Sequence, residues 1–393
     1  MTKPNVPERR PFTQISDAFL YFFRQESASG LLLLLFAAIA MVLANSPLQD
    51  TYEHILHIPL SLPGGLTLSL LHWINDGLMA IFFLVVGMEI KREFLFGELK
   101  SPSQTLLPIA AAVGGMVVPA AIYTLFNAGL PSLSGWAIPM STDIAFSLGV
   151  LAFAAKGVPK SIAVFLTALA IVDDLGGIIV IALFYSTSLQ WGALALGLAV
   201  LALLFFLGKR GIHSPFLYII GGVIAWYAFL QAGIHPTVAG VLVGFIIPAG
   251  TEETQNEFPL HRWEHALAPW SSFLIMPIFA LSNAGIPLGA DSFGNLLSPI
   301  GIGVIGGLFI GKPLGIFGTV FILIRSGMSQ LPEGVRWSHF LGTGILAGIG
   351  FTMSIFLASL SFASPADLIT AKAAIVTASL LSGILGVIVF KIK

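Results

Sequence analysis

Long apolar segments separated by short polar connections recur along the chain from Leu31 to Phe390. All but the segment at 236–249 are about 17–25 residues long, the length that an α-helix needs to cross a bilayer. The pattern predicts about twelve transmembrane helices, at residues 28–45, 71–90, 105–127, 136–155, 161–185, 190–208, 215–234, 236–249, 267–287, 300–324, 338–361 and 369–390. No polar stretch is long enough for a soluble domain, so residues 1–393 are expected to form a single membrane domain.

Composition supports an all-α polytopic membrane protein. Hydrophobic residues make up 56% and charged residues 9% of the chain, against about 25% charged residues in soluble domains. The first apolar run follows basic residues, as in a secretory signal, but it is long and lacks a clear cleavage site, so we expect it to be retained. The net charge of -1 gives no indication of a nucleic-acid partner. The absence of cysteine excludes disulfides and thiolate metal sites.

Basic residues predict the orientation of the helices. Alternate connections and both tails carry Lys or Arg, whereas the opposite connections carry only Lys372, at the edge of the last span. The positive-inside rule places the basic connections and both termini in the cytoplasm. The basic residues of these connections are Lys91, Arg92, Lys100, Lys156, Lys160, Lys209, Arg210, Arg262, Arg325 and Arg336.

The long outer connection, residues 45–70, contains the sequence IPLSLPGGLTLSL. Its alternating residues on either side of Pro63-Gly64-Gly65 predict a short β-hairpin. An isolated two-stranded hairpin is marginally stable, so it would pair with another copy or lie on the membrane surface. An irregular loop is the alternative.

Charged residues interrupt the apolar runs at their centres. Asp173 and Asp174 lie within SIAVFLTALAIVDDLGGIIVIALF, where each buried aspartate costs about 2.5–3.5 kcal/mol on insertion scales. The predicted topology places Asp143 and Lys312 at the same depth. A structural ion pair would explain Lys312 with one aspartate but would leave two acids unexplained. The three acids and the lysine therefore predict a functional site.

Two of the predicted spans have sequences that disfavour a continuous helix. GWAIPMSTD contains a proline and small polar residues before Asp143, and the eleventh span contains Gly342, Gly344, Gly348 and Gly350. Breaks there would expose helix ends that Asp143 and Lys312 neutralise. For the eleventh span, glycines that serve only close packing are an alternative. Each break lies in the middle of a group of three spans, and the groups begin on opposite sides, which predicts an inverted repeat.

The tenth span carries small residues at every fourth position. These are Gly303, Gly307, Gly311 and Gly315. They predict a stripe on which another helix packs closely. Pro313 removes a backbone hydrogen bond directly after Lys312, so the lysine is expected where the helix bends.

Further charged residues lie near the ends of the spans. Asp76 and His235 are expected near the outer face, as interfacial residues rather than ligands. Glu89, Glu93 and the pair Glu264-His265 are expected at the inner face, where a solvated charged surface is the default interpretation.

The sequence resembles the NhaA-type sodium/proton antiporters. The resemblance is carried by INDGLMAIFFLVVGMEIKRE, GWAIPMSTDIAFSLGVLA, ALAIVDDLGGIIVIALFY, GIHPTVAGVLVGFIIP, LIGKPLGI and GIGFTMSIF, spread over most of the chain. It implies twelve spans, two crossed discontinuous helices and a homodimer assisted by the outer hairpin. It also implies no enzymatic activity and no cofactor.

The resemblance also implies roles for individual residues. Asp173 and Asp174 would bind Na+ and carry protons, Thr142 and Asp143 would lie beside them, and Lys312 would be the compensating lysine. The pH-responsive groups would be Glu89, Glu93, Glu264 and His265. Where the family member has a second histidine, this chain has Ala268, so the pH set-point does not follow from the resemblance.

The expected function is therefore electrogenic, pH-regulated exchange of cytoplasmic Na+, and also Li+, for external protons across a bacterial inner membrane. Sodium prefers oxygen ligands, so Na+ and H+ would compete for the same carboxylates, and Asp174 is the favoured direct ligand. Three other functions are alternatives. An intramembrane aspartyl protease lacks its sequence contexts here, and a chromophore-binding light sensor needs fewer spans. A passive cation channel is compatible with the sequence.

Overall fold

The computed structural model of the protein describes residues 26–61, 67–97, 99–100, 102–154, 159–186, 189–287, 289, 295–331 and 334–391. The basic residues of both tails except Lys391, together with Lys156 and the predicted turn Pro63-Gly64-Gly65, lie outside these ranges.

The described chain is mainly helical, and its helices follow the predicted apolar runs in order. In chain order they are α1 (Glu26–Ala44), α2 (Gln49–Leu56), α3 (Leu70–Phe96), α4 (Pro102–Asn127), a 3₁₀ helix (Pro131–Met140), α5 (Ile144–Ala154), α6 (Lys160–Phe184), α7 (Trp191–Lys209), α8 (Pro215–Ala232), α9 (Thr237–Ile246), α10 (Pro259–Asn283), α11 (Pro299–Arg325), α12 (Trp337–Ala347), α13 (Phe351–Ser361) and α14 (Pro365–Lys391). Short 3₁₀ turns are formed by Gln255–Glu257 and Asn295–Leu297.

Eight of the described helices are long and apolar enough to cross a membrane singly: α3, α4, α6, α7, α8, α10, α11 and α14. Three bent pairs raise the number to at most eleven, namely α1 with α2, the 3₁₀ helix with α5, and α12 with α13. The predicted eighth span is α9, which has only 10 residues. At 1.5 Å per residue it is about 15 Å long, half the thickness of the hydrocarbon core. The helix predicted at residues 236–249 is therefore present but shorter than its apolar run.

The outer connection contains the predicted hairpin. Strand β1 (Pro59–Ser61) pairs antiparallel with β2 (Thr67–Ser69). Helix α2, which the apolar pattern did not predict, is mostly exposed and turns 116° away from α1. Tyr52 fixes α2 to α10 by donating a hydrogen bond of 2.6 Å to the Leu281 carbonyl. Burial, with a contribution from Glu53, raises the pKa of Tyr52 to about 12, so the phenol keeps this proton at neutral pH.

The glycine stripe of α11 packs against α4, as predicted. A Cβ added to Gly315 would overlap the Gly114 carbonyl oxygen, and one added to Gly311 would lie 2.9 Å from the Pro119 Cα. Such backbone-to-backbone contact requires small residues. A π-helical turn, Gly306–Gly311, ends directly before Lys312. Such turns commonly mark functional positions in helices, and this one agrees with the predicted irregularity beside Pro313.

Two groups of helices have the same order of long, broken and long helices. The first consists of α4, the 3₁₀ helix with α5, and α6, and the second of α11, α12 with α13, and α14. This is the order that the predicted inverted repeat requires. It places one break in the middle of each group.

Candidate functional site

Both predicted helix breaks are present. The 3₁₀ helix ends at Met140 and α5 begins at Ile144, with a bend of 44° between them. Helix α12 ends at Ala347 and α13 begins at Phe351, with a bend of 43°. Each break leaves backbone groups without intrahelical partners at the centre of the protein. The eleventh predicted span, α12 with α13, is therefore broken, and its glycines do not serve close packing alone.

The two breaks meet and are hydrogen-bonded to each other. The Asp143 N–H donates to the Ile349 carbonyl at 2.7 Å, and the Thr142 hydroxyl donates to the Ala347 carbonyl at 2.9 Å. These bonds satisfy backbone groups that the breaks release, as a buried segment requires. The two discontinuous helices therefore cross at their breaks.

Asp143 lies at the beginnings of two half-helices. Its Oδ1 accepts a hydrogen bond of 3.0 Å from the Phe146 N–H in α5. Its Oδ2 accepts bonds from the Thr352 N–H at 3.1 Å and the Thr352 hydroxyl at 2.5 Å, in α13. Helix N-termini favour a negative charge. The geometry is the one expected from the sequence for Asp143.

Asp173 is paired with Lys312 in a completely buried contact. The Lys312 Nζ donates to Asp173 Oδ2 at 2.7 Å, and both side chains are 0% exposed. The Thr142 N–H donates to the same oxygen at 2.7 Å. Oδ1 is buried and has no hydrogen-bond partner among the described residues. An ion pair of Lys312 with one aspartate is one of the two interpretations that the sequence allows, beside compensation of negative helix ends, and the partner is Asp173.

Asp174, the next residue of α6, faces a small cavity. The cavity has a volume of about 10 Å³, close to the space that one water molecule needs. It is lined by Phe83, Ser141, Asp174, Gly177, Ile178, Ile181, Met353, Phe356 and Leu357. Most of this lining is apolar, so a charge on Asp174 would be poorly solvated.

The described residues contain no group of three or more His, Cys, Asp or Glu side chains that could hold a metal ion. A bound Na+ would therefore depend on one or two carboxylates together with hydroxyl, carbonyl or water oxygens. Among the residues that line the cavity, Asp174 and Ser141 have side-chain oxygens, and the Oδ1 of the adjacent Asp173 is buried without a hydrogen-bond partner among the described residues.

Arg92, which served only to predict orientation from sequence, binds two of the glutamates expected at the inner face. Arg92 Nε donates to Glu264 at 2.8 Å, and Arg92 Nη1 lies 2.7 Å from Glu93 Oε1. Glu89 interacts electrostatically with Arg92 and also with Asp174. His265 packs its ring against His261, with 4.4 Å between the ring centres. Arg92 therefore joins Glu93 to Glu264, and His265 forms a separate pair with His261.

The outer residues Asp76 and His235 contact each other. Asp76 Oδ1 lies 3.4 Å from His235 Nε2, and His235 Nδ1 lies 2.7 Å from the Thr237 hydroxyl. The Trp226 indole donates to the Asp76 carbonyl at 3.0 Å. From sequence alone these are two separate interfacial residues, whereas in the structure they form a pair.

Two further site residues received no role from the sequence. Thr352 binds Asp143, and Ser379 in α14 accepts a hydrogen bond from the Phe351 N–H at 3.3 Å. Thr352 could have been identified from sequence, because it is a hydroxyl residue close after the glycine-rich break. No local signal distinguishes Ser379 from the other hydroxyl residues of α14, because its partner is 28 residues away.

Comparison with known proteins agrees with this geometry. The model of a family described as Na+/H+ antiporter 1 matches residues 21–390. The chain is 55% identical to the Na(+)/H(+) antiporter NhaA 2 of Clostridium beijerinckii, over 96% of this chain and 95% of that protein. It is 49% identical to the Na(+)/H(+) antiporter NhaA of Vibrio vulnificus, over 88% of each.

A solved structure has the same fold. The sodium proton antiporter MjNhaP1 from Methanocaldococcus jannaschii aligns with a TM-score of 0.52, covering 96% of this chain and 100% of that chain. Its sequence identity is 15%, so this likeness concerns the fold alone. The match of the family model over most of the chain and the close relatives show that the chain belongs to the Na+/H+ antiporter 1 family.

Proposed function

We propose that this protein is a secondary transporter that exchanges cytoplasmic Na+, and also Li+, for external protons across a bacterial inner membrane. The observation that carries the proposal is the buried pair Asp173 and Asp174 at the crossing of two broken helices. Intramembrane carboxylates of this kind mark ion and proton pathways. The names of the relatives support sodium and protons as the exchanged ions.

Exchange follows from competition at one site. A carboxylate that is poorly solvated needs either a proton or a cation to compensate its charge. Asp173 already has Lys312 as a partner, whereas Asp174 lines the cavity, so Asp174 is the proposed direct ligand of Na+. Electrogenic exchange requires more than one proton for each Na+, and the proposed proton carriers are Asp174 and the Asp173–Lys312 pair. Thr142 and Asp143 hold the breaks around the site.

We assign pH regulation to the inner-face group of Glu89, Glu93, Glu264 and His265. Arg92 binds two of these glutamates directly, and Glu89 interacts with both Arg92 and Asp174. Protonation in this group would change the charge around Arg92, and the effect would reach the site through α3. Ala268 lies in the same segment of α10 as His265.

We also propose a homodimer that uses the outer hairpin. Strands β1 and β2 have three residues each, and all three residues of β1 are exposed. A two-stranded hairpin is marginally stable alone and has free edges. Pairing with the same hairpin of a second copy would satisfy those edges.

The proposal is tested with everted membrane vesicles that contain a fluorescent pH indicator. Addition of Na+ or Li+ should cause proton release in the parent, whereas Asp173→Asn and Asp174→Asn should abolish it. Asp50→Asn, in exposed α2, is the matched control and should behave as the parent. Sodium flux without coupled proton movement would indicate a passive channel. Retained sodium-dependent proton flux in both site variants would refute the assignment of the site.

A further inference from the structure

Helix α14 presents a buried hydroxyl to the break between α12 and α13. Ser379 is 3% exposed, and its Oγ accepts a hydrogen bond from the Phe351 N–H at 3.3 Å. We infer that Ser379 is a positioning residue for the ion site, acting through the break and not on the ion itself. This inference rests on the proposed function, since it concerns the affinity of that site for Na+.

The Phe351 N–H needs an acceptor from outside its own helix. Phe351 is the first residue of α13, and N–H groups in the first turn of a helix have no intrahelical partner. A side chain at the N-cap position accepts bonds from the second or third N–H of the helix rather than from the first, and the N-cap here is Gly350, which has no side chain. Water is scarce in the middle of a membrane protein, so an unpaired N–H is costly. Ser379 supplies the missing acceptor.

A short path joins Ser379 to the ion-binding carboxylates. The residue after Phe351 is Thr352, whose N–H and hydroxyl bind Asp143 at 3.1 and 2.5 Å. The residue before Asp143 is Thr142, whose N–H donates to Asp173 at 2.7 Å. Each step is either one peptide unit or one hydrogen bond. A displacement of Phe351 would therefore change the position of the Asp173 carboxylate.

The test compares Ser379→Ala with the parent in sodium-dependent exchange. One lost hydrogen bond corresponds to a change of about threefold to tenfold in an equilibrium constant. We expect the apparent KM for Na+ to rise by about this factor, with little change in the maximal rate. Ser379→Cys keeps a weak acceptor of similar size and should have an intermediate KM. The Na+ concentration that stabilises the detergent-solubilised protein against heat should rise by the same factor, which provides a readout independent of transport.

Two other hydroxyls of α14 serve as controls. The Thr377 hydroxyl bonds within its own helix, to the Ala373 carbonyl at 2.8 Å, so Thr377→Val should keep the parental KM. Ser382 is 0% exposed, and its Oγ has no hydrogen-bond partner among the described residues. Ser382→Ala therefore removes an equally buried hydroxyl without breaking a bond.

The possible outcomes separate this inference from the proposed function. A parental KM in both Ser379 variants, or the same KM change in the two controls, would overturn the positioning role. Loss of folded protein or of thermal stability without a change in KM would make Ser379 a structural residue and would also overturn it. If the parent shows no sodium-dependent exchange, the proposed function has failed instead, and if Asp173→Asn and Asp174→Asn both keep exchange, the assignment of the site has failed.

Discussion

Removal of the Lys312 ammonium is the sharpest perturbation that the structure offers. Lys312 Nζ and Asp173 Oδ2 are 2.7 Å apart, and both side chains are fully buried. In Lys312→Ala, the hydrogen bond from the Thr142 N–H to Asp173 would remain, but the carboxylate would lose its compensating charge. The variant thus tests whether the lysine is needed for the assembly of the site.

The expected loss is large because one buried charge would remain unpaired. Removing one partner of a buried ion pair costs about 3–5 kcal/mol. In soluble domains of moderate size each kcal/mol lowers Tm by about 2–4 °C, so we expect a decrease on the order of 10 °C. The double variant Lys312→Ala with Asp173→Asn removes both charges, and its amide oxygen can still accept the Thr142 N–H. It should recover the part of the lost stability that comes from the unpaired charge, while the cavity left by the lysine side chain keeps it below the parent.

The assay is thermal unfolding of the purified protein in detergent, combined with exchange in vesicles. Lys312→Arg keeps the charge but presents a planar head to a site shaped for an ammonium, so an intermediate Tm is expected. Lys391→Ala, at the exposed end of α14, is the matched control and should melt as the parent. The double variant should remain inactive, because it lacks the Asp173 carboxylate.

The coupling free energy between Lys312→Ala and Asp173→Asn, measured from thermal unfolding, decides whether the ion pair has the proposed role. The effects of the two substitutions on stability should be strongly non-additive, because Lys312 and Asp173 are in direct contact. Additive losses in the double variant, or a Lys312→Ala protein with the parental Tm and exchange rate, would refute the role of the ion pair.

Three further predictions concern other parts of the molecule. The apparent KM for Na+ in vesicles should fall as pH rises, because protons compete with Na+ for the same carboxylates, and a KM independent of pH would contradict a shared site. Gly315→Ala should lower stability by about 1–3 kcal/mol, because the added Cβ would overlap the Gly114 carbonyl, whereas Gly318→Ala has open space and should melt as the parent. Arg92→Gln should shift the pH profile of exchange by removing the charge that binds Glu264, and an unchanged profile would argue against a role of this group in pH regulation.

Much of the architecture follows from local sequence. The apolar runs predicted the order of the spans, the glycine stripe predicted close packing on α11, and alternating residues predicted the hairpin. These predictions succeed because each depends on nearby residues: an apolar helix must be long enough to cross lipid, and small residues permit close approach. The same reasoning overestimated the length of α9, because an apolar run does not show where the helix within it ends.

The break positions were also predictable, since proline and glycine disfavour a continuous helix wherever they occur. The central position of Asp143 could be inferred as well, because helix ends favour a compensating charge. The sequence could not show that the two breaks bond to each other, because the partners Thr142 and Ala347 are 205 residues apart.

The choice of partners at the site depended on tertiary structure. Three acids at one depth were available to Lys312, and only the packing of α6 against the broken helices gave it Asp173, 139 residues away. Contacts between other helices joined Asp76 to His235, joined Arg92 to Glu264, and brought Ser379 to the Phe351 N–H. The cost of burying charge or an N–H group is fixed by chemistry and can be read from sequence. Which group compensates it depends on distances of a few ångströms, and those are set only when the helices pack.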